Sequence, residues 1–379
     1  MSMFILVTHA TCENGKFYEA PMRTLVEILI RQRREFLFVR HSMDGKVPSK
    51  LYRYVDGVVV SEEVILPVVR IAPLRYVAEI VATPFWFFRQ AKNQDYVYIG
   101  ADPLNAFSGV LLRTSRRVRK TVFYTADYSE SRFGNSLLNN SYHAIDRFCV
   151  RRSDEVWNVS SRIVAVRKRQ GLSDEKNIFV PNVPDIGEMP DVGVARNRFR
   201  LISLGKLGGQ LDYPGIFDAI ANLRERYPEL RLAIVGNGPF EEDYRKIVTE
   251  KGISDQVDFL GYLSHDRALE EIARSGIGLA LYNGEWSFNH FGDSMKCREY
   301  FVFGLPVITT DAHSTVEEIR EGKAGIVVDM KVDAYQTAIE SILESYDEYS
   351  RNSASLASKY TGIHERMLNL LESSKEHVH

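Results

Sequence analysis

With 379 residues, 45% of them hydrophobic and 26% charged, the chain has the composition of a soluble globular protein, and its length favours two domains over one core. The formal net charge is −2, but residues 1–195 carry 27 lysines and arginines against 21 acidic residues, while the remainder carries 21 against 29. This asymmetry is too mild to choose among nucleic acid, anionic lipid and a phosphorylated substrate as the partner. Three widely spaced cysteines and the lack of any run of about 18 apolar residues exclude a disulfide framework, a zinc site and a membrane span.

The first half alternates short β-type runs with amphipathic stretches. Strands are predicted in "MFILVTH", "EFLFVRHS", "DYVYIG", "TVFYTA" and "EVWNVS", with a helix in "APMRTLVEILIRQR". Such alternation is typical of α/β units on a parallel sheet. A segment rich in Pro, Gly and Asp then marks a boundary near residues 182–197. We therefore predict one domain over 1–190, a second over 197–330, and C-terminal helices over 331–379 that cross back onto the first domain.

The second half repeats the alternation and predicts a doubly wound sheet. Strands are expected in "RLISLG", "LRLAIVG", "QVDFLG", "IGLALY" and "PVITTD", separated by helices, and the chain after Val332 reads as helices alone. Ligands of such sheets bind at the carboxyl ends of the strands, so the loops after Gly205, Gly236, Gly261 and Tyr282 are expected to face a cleft between the domains.

The stretch "NHFGDSMKCREYFVFGLPVITTD" (residues 289–311) predicts a helix that Asp293 or Ser294 caps and Gly304 ends. Lys296 and Glu299 lie three residues apart and share one face of this helix. A helix N-terminus with a lysine beside it suits a diphosphate, and a carboxylate one turn further suits the two hydroxyls of a ribose. The alternative is an incidental surface pair worth a few tenths of a kcal/mol.

Several segments together, in order and spacing, resemble the GT4 (glycosyl transferases group 1) family of GT-B glycosyltransferases. They are "LISLGKL", "LRLAIVGNGPFEEDYRKIV", "VDFLGYLSHDRALEEIARSGIGLALY" and "REYFVFGLPVITTD", and they cover most of residues 199–329. The resemblance implies two Rossmann-like domains facing a cleft, a UDP- or GDP-linked sugar as donor, no metal or other cofactor, and retention of anomeric configuration. It places Glu299 on the donor ribose. The other donor-binding residues that it implies are Lys296, Ser294, Lys206, Gly205, Gly236, Gly238, Leu260 and Gly261.

The chain departs from the family pattern at two places. Phe291 stands where the family usually has a second Glu, so we expect sugar contacts from Glu285, His290 and Asp293 in the loop around it. In the first loop Lys206 stands in place of an Arg, and the Lys that usually follows is missing. We expect Lys296 to supply that missing positive charge.

The first half carries fewer of the family's features. Its glycine-rich loop is replaced by "THATCENGKFYEAP", in which Gly15 is expected to lie against the donor phosphates. Asp127 follows "TVFYTA" at the position where relatives contact the transferred sugar; the alternative is a cap on the next turn. His9, also at a strand end, either belongs to the site or hydrogen-bonds a backbone carbonyl.

Cations and aromatic residues are interleaved in the basic half, which suits docking on anionic lipid. The predicted acceptor or membrane surface comprises Trp86, within an aromatic run at 85–88, and Arg113, Arg116, Arg117 and Arg119. The alternative is that the aromatic side chains are core and the arginines a solvated face. No recognition motif for nucleic acid accompanies the cluster.

The sequence therefore predicts a metal-independent glycosyltransferase that acts on a saccharide or lipid-linked acceptor in polysaccharide or glycolipid biosynthesis. Because the N-terminus lacks a signal peptide, the location is expected to be cytoplasmic, at the inner face of the membrane. Two alternatives stay open: a GT-B nucleotide-sugar epimerase, and a non-catalytic donor-binding subunit, the latter because of Phe291. The nucleotide base, sugar, acceptor, linkage and oligomeric state are not fixed.

Overall fold

The computed structural model describes residues 3–13, 15–19, 21–92, 94–184, 195–284 and 290–373. The chain divides into two compact units. The first comprises Met1–Pro181 together with Gly362–His379, and the second comprises Asn182–Thr361. Within the described residues, no helix is both long and apolar enough to cross a bilayer.

The first unit is built on a mixed sheet with strand order β5-β4-β3-β1-β6-β7-β8-β9, and β2 pairs with β1. The strands from β3 across to β9 pair in parallel, whereas β3, β4 and β5 pair antiparallel at one edge. Buried side chains of β1, β3, β6 and the second helix form its main core. The elements are β1 Met3–Glu13, β2 Lys16–Tyr18, α1 Met22–Arg31, β3 Phe36–Ser42, β4 Ser49–Val55, β5 Val58–Leu66, α2 Ala72–Gln90, β6 Tyr96–Ala101, α3 Pro103–Arg113, β7 Val118–Thr125, α4 Ser136–Arg152, β8 Glu155–Asn158, α5 Ser161–Arg169, β9 Asn177–Phe179 and α13 Ile363–Glu372.

The second unit is a parallel sheet of order β12-β11-β10-β13-β14-β15 with helices between its strands. Apolar side chains of β10, β11 and β13 are buried on both faces, as expected where helices cover both sides of a parallel sheet. The elements are β10 Asn197–Leu204, α6 Tyr213–Leu223, β11 Arg231–Val235, α7 Glu241–Glu250, β12 Val257–Gly261, α8 His265–Arg274, β13 Ser275–Ala280, α9 Met295–Val302, β14 Val307–Thr310, α10 Thr315–Gly322, β15 Gly325–Val328, α11 Val332–Glu344 and α12 Tyr346–Ser358.

Several elements were not predicted from the sequence, among them the β4–β5 hairpin and strand β15. The β4–β5 hairpin turns at Asp56 and Gly57, both with positive φ (51° and 82°), and an Asp-Gly pair between β-type runs is a hairpin signal that was available. Strand β15 is only four residues long, too short for its periodicity to distinguish it from a loop. The chain after Val332 is helical as predicted, with a break at Ser345 between α11 and α12.

Candidate functional site

The strand order of the second unit determines where a ligand can bind. Counted from β10, the order is 3-2-1-4-5-6, that of a dinucleotide-binding Rossmann fold. The order reverses between β10 and β13, which are parallel neighbours. In such sheets the crevice at the carboxyl ends of those two strands binds the ligand. The loops after Leu204 and Ala280 therefore form the candidate site.

Two glycine-rich loops pack against each other at this edge. Leu207 N donates to Asn237 O (3.0 Å) and Phe240 N donates to Leu207 O (3.0 Å), which ties the loop after β10 to the loop after β11. A Cβ at Gly236 would collide with the carbonyl oxygen of Gly205, and one at Gly238 would collide with the backbone of Leu207. Both glycines are thus required by the close approach of two backbones.

The loop after β12 joins the same edge. Gly261 ends this strand with a φ of 67°, and its carbonyl accepts from Gly236 N at 2.8 Å. Leu260 is half-buried against the core of the second unit. The structure therefore brings Gly205, Gly236, Gly238, Leu260 and Gly261 together at one edge of one sheet.

Helix α9 begins at this edge with Ser294 as its cap. The Ser294 hydroxyl accepts from Cys297 N (3.4 Å), and it also forms a hydrogen bond with the Tyr282 hydroxyl (3.0 Å). Ser294 N in turn donates to Thr315 Oγ1 at 2.9 Å. Because the amides at a helix N-terminus carry partial positive charge, this cap fixes an anion-binding end beside Tyr282.

Lys296 extends from α9 toward the first loop. Its ammonium lies over the ring of Tyr282, 4.7 Å from the centroid, and 3.4 Å from the hydroxyl. The position that a Cβ of Gly205 would occupy is 3.3 Å from Lys296 Nζ, so the cation reaches the loop that also carries Lys206. Lys206 is exposed. Two lysines, one from each side of the strand-order reversal, therefore belong to this edge.

Glu299 follows Lys296 by three residues and is 9% exposed. Burial disfavours its charged form and raises the pKa of Glu299 from 4.5 to about 7, against the opposing effect of the Lys296 charge. The nearest ionisable neighbour from another element is His265, at the start of α8, with Nδ1 3.9 Å from Glu299 Oε1. A nearly buried carboxyl without a close ion pair is suited to receive hydroxyl donors from a ligand.

Asp293 has a different environment from the one expected of a sugar contact. Its side chain is fully buried, and it accepts from Arg298 Nη2 (2.9 Å), Thr315 Oγ1 (3.0 Å) and Asn182 N (2.7 Å). Arg298 also donates to both oxygens of Glu318, at 2.6 and 3.0 Å. These contacts engage both Asp293 oxygens in a buried ion-pair network, so we reassign Asp293 from sugar contact to structural anchor of the loop.

The remaining loop candidates are less fully described. Glu285 lies outside the described residues. His290 is exposed, and its ring meets that of Phe291 edge to face at 4.8 Å. Gly292 O accepts from Ser314 N (3.0 Å), which holds the end of this loop against α10.

In the first unit, Asp127 lies two residues past β7 and is exposed, and its Oδ1 accepts from Arg132 Nη1 at 2.7 Å. Among the described residues, the Asp127 side chain makes no hydrogen bond to a backbone amide of the following turn. Gly15 lies in the turn between β1 and β2, exposed, with a φ of 77°. The roles of Asp127 and Gly15 toward the donor stay predictions.

His9 was expected at a strand end, but β1 continues to Glu13 and His9 lies within it, in a buried charged cluster that the sequence did not predict. Its Nδ1 lies 2.5 Å from Asp102 Oδ2 and its Nε2 lies 2.9 Å from Glu79 Oε2. Burial alone would lower the pKa of His9, but the charges and hydrogen bonds of Asp102 and Glu79 outweigh it and raise the pKa to about 10. His9 is thus an imidazolium held between two carboxylates from β6–α3 and α2.

The predicted acceptor or membrane surface is only partly present. Arg113 donates to Val118 O (2.8 Å) and to Asp154 (3.2 Å), so internal partners hold its guanidinium although the side chain is 36% exposed. Arg119 is half-buried, with its Nε buried. Arg116 and Arg117 are exposed as expected. Trp86 is half-buried and its indole donates to Ile65 O at 3.2 Å, so it packs into the first unit's core instead of a docking face.

Two residues of the site were missed by sequence reasoning, and a third, Tyr282, was predicted only as the strand end before a loop that faces the cleft. His265 begins a predicted helix, and nothing local connected it with Glu299. Arg298 gave no signal, because its partners are separated in sequence and meet only through packing.

The sequence was compared with models of known protein families. Residues 188–358 match the family model for glycosyl transferases group 1. This segment, less than half of the chain, is similar to the group 1 glycosyltransferases. The resemblance to this family that was predicted from the sequence is confirmed.

Curated relatives match part of the chain. The "GDP-mannose-dependent alpha-(1-6)-phosphatidylinositol monomannoside mannosyltransferase" of Mycobacterium tuberculosis is 26% identical over 160 residues, which cover 40% of this chain and 42% of that protein. The match therefore spans less than half the length of this group 1 relative. What the relative as a whole acts on reaches this chain only as a proposal.

Solved structures match nearly the whole chain. HepE from Anabaena, in complex with UDP, has a TM-score of 0.68 at 17% identity, covering 99% of this chain and 100% of that one. Sucrose-phosphate synthase from Thermosynechococcus elongatus has a TM-score of 0.69 at 13% identity, with 98% of each chain covered. At such identities the match shows the fold alone, and the predicted GT-B fold is confirmed.

Proposed function

We propose that the protein transfers a glycosyl group from a nucleoside-diphosphate sugar to a saccharide or lipid-linked acceptor. The observation that carries this proposal is the start of α9, where Lys296 and the nearly buried Glu299 lie at the strand-order reversal of a Rossmann-type sheet. A helix N-terminus with a cation suits a diphosphate. A carboxylate one turn further suits the vicinal hydroxyls of a ribose.

The names of the relatives support the substrate classes. HepE was solved with UDP, and the mycobacterial relative is named for GDP-mannose, so a UDP- or GDP-linked donor is proposed here. The same mycobacterial name contains a phosphatidylinositol mannoside, which supports a lipid-linked acceptor. The described residues do not discriminate between the two bases, because a base bound through backbone groups leaves little mark on side-chain identity.

The proposed transfer breaks the bond between the anomeric carbon and the donor phosphate oxygen, and forms one to an acceptor hydroxyl oxygen. The departing diphosphate gains negative charge, which Lys206, Lys296 and the amides at the start of α9 would stabilise. The acceptor's proton would pass to the departing phosphate oxygen. This route needs no carboxylate nucleophile and fits the retention of configuration that the family resemblance implies.

Contacts to the transferred sugar are the least defined part of the proposal. With Asp293 engaged in its ion-pair network, the candidates are His290 and Glu285 in the second unit and Asp127 in the first. A metal-independent reaction and a cytoplasmic location likewise stay predictions.

A panel of UDP, GDP and ADP in thermal-shift measurements tests the donor site. A ligand present at a hundredfold excess over its dissociation constant stabilises the protein by about 2.7 kcal/mol. Stabilisation by one diphosphate, lost in Glu299→Ala but kept in Glu321→Ala, would support the proposal. Glu321 is exposed in the last turn of α10 and provides the matched control. Equal binding by both variants would contradict the role of Glu299.

Turnover separates the proposed transferase from its alternatives. Incubation of the selected UDP- or GDP-sugar with the wild-type chain is expected to release nucleoside diphosphate slowly, and faster with a saccharide or glycolipid acceptor. An epimeric nucleotide sugar formed from donor alone would instead identify an epimerase. Binding without any release of diphosphate would identify a non-catalytic donor-binding subunit.

A further inference from the structure

Helix α2 presents an apolar stripe to solvent. Along its 19 residues, Leu74, Val77, Val81, Phe85 and Phe88 follow one another at intervals of three or four positions and are 52–64% exposed. Side chains at this spacing share one face of a helix. In a globular protein such a stripe normally faces the core, so its exposure requires an explanation.

The orientation of α2 is fixed by polar side chains on the opposite face. Arg75, Glu79 and Thr83 are four residues apart and only 4%, 2% and 3% exposed. Arg75 donates to Met43 O (2.9 Å). Glu79 contacts the imidazolium of His9, as described above.

Thr83 completes this polar face through His41. Its Oγ1 lies 2.9 Å from His41 Nε2, while His41 Nδ1 lies 3.0 Å from Ser49 Oγ. Turning α2 to bury its apolar stripe would break all of these contacts and leave charged groups without partners, which is costly in a protein interior. These contacts therefore fix the orientation of α2, with its apolar face toward solvent.

The exposed charges that residues 67–92 themselves contribute are of one sign. Two carboxylates of neighbouring elements meet the C-terminal end of this segment, where Lys92 Nζ lies 3.8 Å from Glu35 Oε1 and Gln90 Nε2 donates to Glu63 Oε1 at 2.8 Å. Residues 67–92 contain four cations and one carboxylate. Two of these five groups, Arg75 and Glu79, are buried, so the charges left at the surface are Arg70, Arg89 and Lys92. Arg89 lies over the ring of Trp86 at 4.7 Å, beside the aromatic end of the stripe. An apolar face with a positive rim is complementary to an anionic lipid surface.

We infer that the outward face of α2 docks on anionic lipid and lies in the plane of the membrane interface. A helix of this length extends about 28 Å at 1.5 Å per residue, parallel to the surface rather than across it. The inference deepens the proposed function, on which it rests, because it would hold the enzyme where a lipid-linked acceptor is found.

Vesicle sedimentation tests the docking directly. The full chain is mixed with vesicles of phosphatidylcholine and phosphatidylglycerol, or of phosphatidylcholine alone, at low salt. Binding is expected to the anionic vesicles and to weaken as salt is added. Absence of binding to anionic vesicles at low salt would overturn the inference, as would equal binding to neutral vesicles that salt does not change.

Single substitutions locate the surface. Leu74→Ser, in the first turn of α2, is expected to lower the vesicle partition coefficient about tenfold, since one apolar side chain no longer enters the interface. The matched control is Leu137→Ser in the first turn of α4, a leucine that is even more exposed (75%, against 60% for Leu74) and whose change should leave partitioning unchanged. Equal losses in the two variants would show that α2 is not the docking element.

The contribution of the cations beside the stripe is tested separately, by removing their charges. Arg70→Gln and Arg89→Gln are each expected to weaken binding to anionic vesicles about fivefold, with less effect at high salt. Unchanged binding in both would contradict the electrostatic part of the inference. Circular dichroism and the melting temperature verify that each variant is folded.

Two further outcomes are distinguishable. If the apolar stripe instead covers a second copy of the chain, sedimentation equilibrium without lipid would show a dimer that Leu74→Ser dissociates, and the lipid inference would be overturned. The docking inference and the proposed function can also fail independently. Vesicle binding should be intact in Glu299→Ala, and nucleotide binding should be intact in Leu74→Ser. Each variant thus reports on one site.

Discussion

Helices α2 and α9 both bury an arginine and a glutamate, yet they use them differently. In α2, Arg75 donates to Met43 O while Glu79 contacts His9, so the buried charges serve internal partners and the apolar side chains point outward. In α9, Arg298 is neutralised by Asp293 and Glu318, whereas Glu299 has no comparably close cation among the described residues and its pKa rises.

The difference shows how a buried charge indicates function. A charge whose partners lie within the fold positions its helix, and the opposite face of that helix then becomes the feature of interest. A carboxyl that is buried but poorly matched is itself the candidate ligand group. The predictions that follow test this distinction, from the largest expected effect to the smallest.

Arg298→Met should be the most destabilising change in α9. It removes the cation between Asp293 and Glu318 and leaves two carboxylates buried without compensation, which costs about 3–5 kcal/mol. Urea denaturation measures the loss. The control is Arg320→Met, whose partner Asp311 lies 3.0 Å away with both side chains about half exposed, and which should cost at most about 1 kcal/mol. Similar losses in the two variants would contradict the contrast.

Glu299→Gln should change how stability depends on pH. Because burial raises the pKa of Glu299 from 4.5 to about 7, the folded state retains a proton that the unfolded chain has released between those values. Wild-type stability attributable to this group is therefore present below pH 4.5 and lost as the pH rises through 7. The neutral glutamine should make the ligand-free protein more stable above pH 7, by on the order of 3 kcal/mol at most, with no difference at low pH.

Urea denaturation of both proteins across this pH range provides the measurement. Equal stability at every pH would mean that Glu299 is ionised in the folded state, contrary to its burial. The affinity for the donor should depend on pH in the opposite direction, because the ribose hydroxyls donate to the ionised carboxylate. Binding of a nucleoside diphosphate by the wild type should therefore weaken as the pH falls below about 7. Glu299→Gln should lack that component.

The two helices also show which parts of the molecule the sequence reveals. Ser294, Lys296 and Glu299 were assigned together because a cap and a three-residue spacing are local patterns that survive in any fold of that helix. The loop glycines followed from strand ends in the same way. The network of Asp293, Arg298 and Glu318 could not be predicted, because its members meet only when α9 and α10 pack.

For α2 the sequence pattern was misleading. Its aromatic run at 85–88 predicted an exposed surface that includes Trp86, with a core as the alternative. In the structure Phe85 and Phe88 are exposed, whereas Trp86 is half-buried, because the contacts with His9 and His41 on distant strands decide which side is buried. Apolar periodicity gives the face of a helix, but only its polar partners decide which face is inside.

Lys296→Met tests whether the cation of α9 binds the donor diphosphate. If Lys296 supplies the positive charge that the first loop lacks, its loss should weaken nucleoside diphosphate binding by about 1.5–3 kcal/mol and lower turnover with it. Calorimetric titration measures the affinity. Lys246→Met, an exposed lysine of α7, should behave as wild type. Unchanged affinity and turnover in Lys296→Met would show that the charge comes from elsewhere.

Thr83→Val tests the anchoring of α2 with the smallest change available. Valine has nearly the shape of threonine but cannot pair with His41 Nε2, so a buried ring nitrogen loses its partner, at a cost of about 1–2 kcal/mol. Nucleotide binding, a property of the other unit, should not change. Vesicle binding should fall only if α2 loosens enough to let its apolar stripe turn. A stability loss with full vesicle binding would show that Glu79 and Arg75 alone hold the helix, whereas no stability loss would mean that the His41 contact does not fix its orientation.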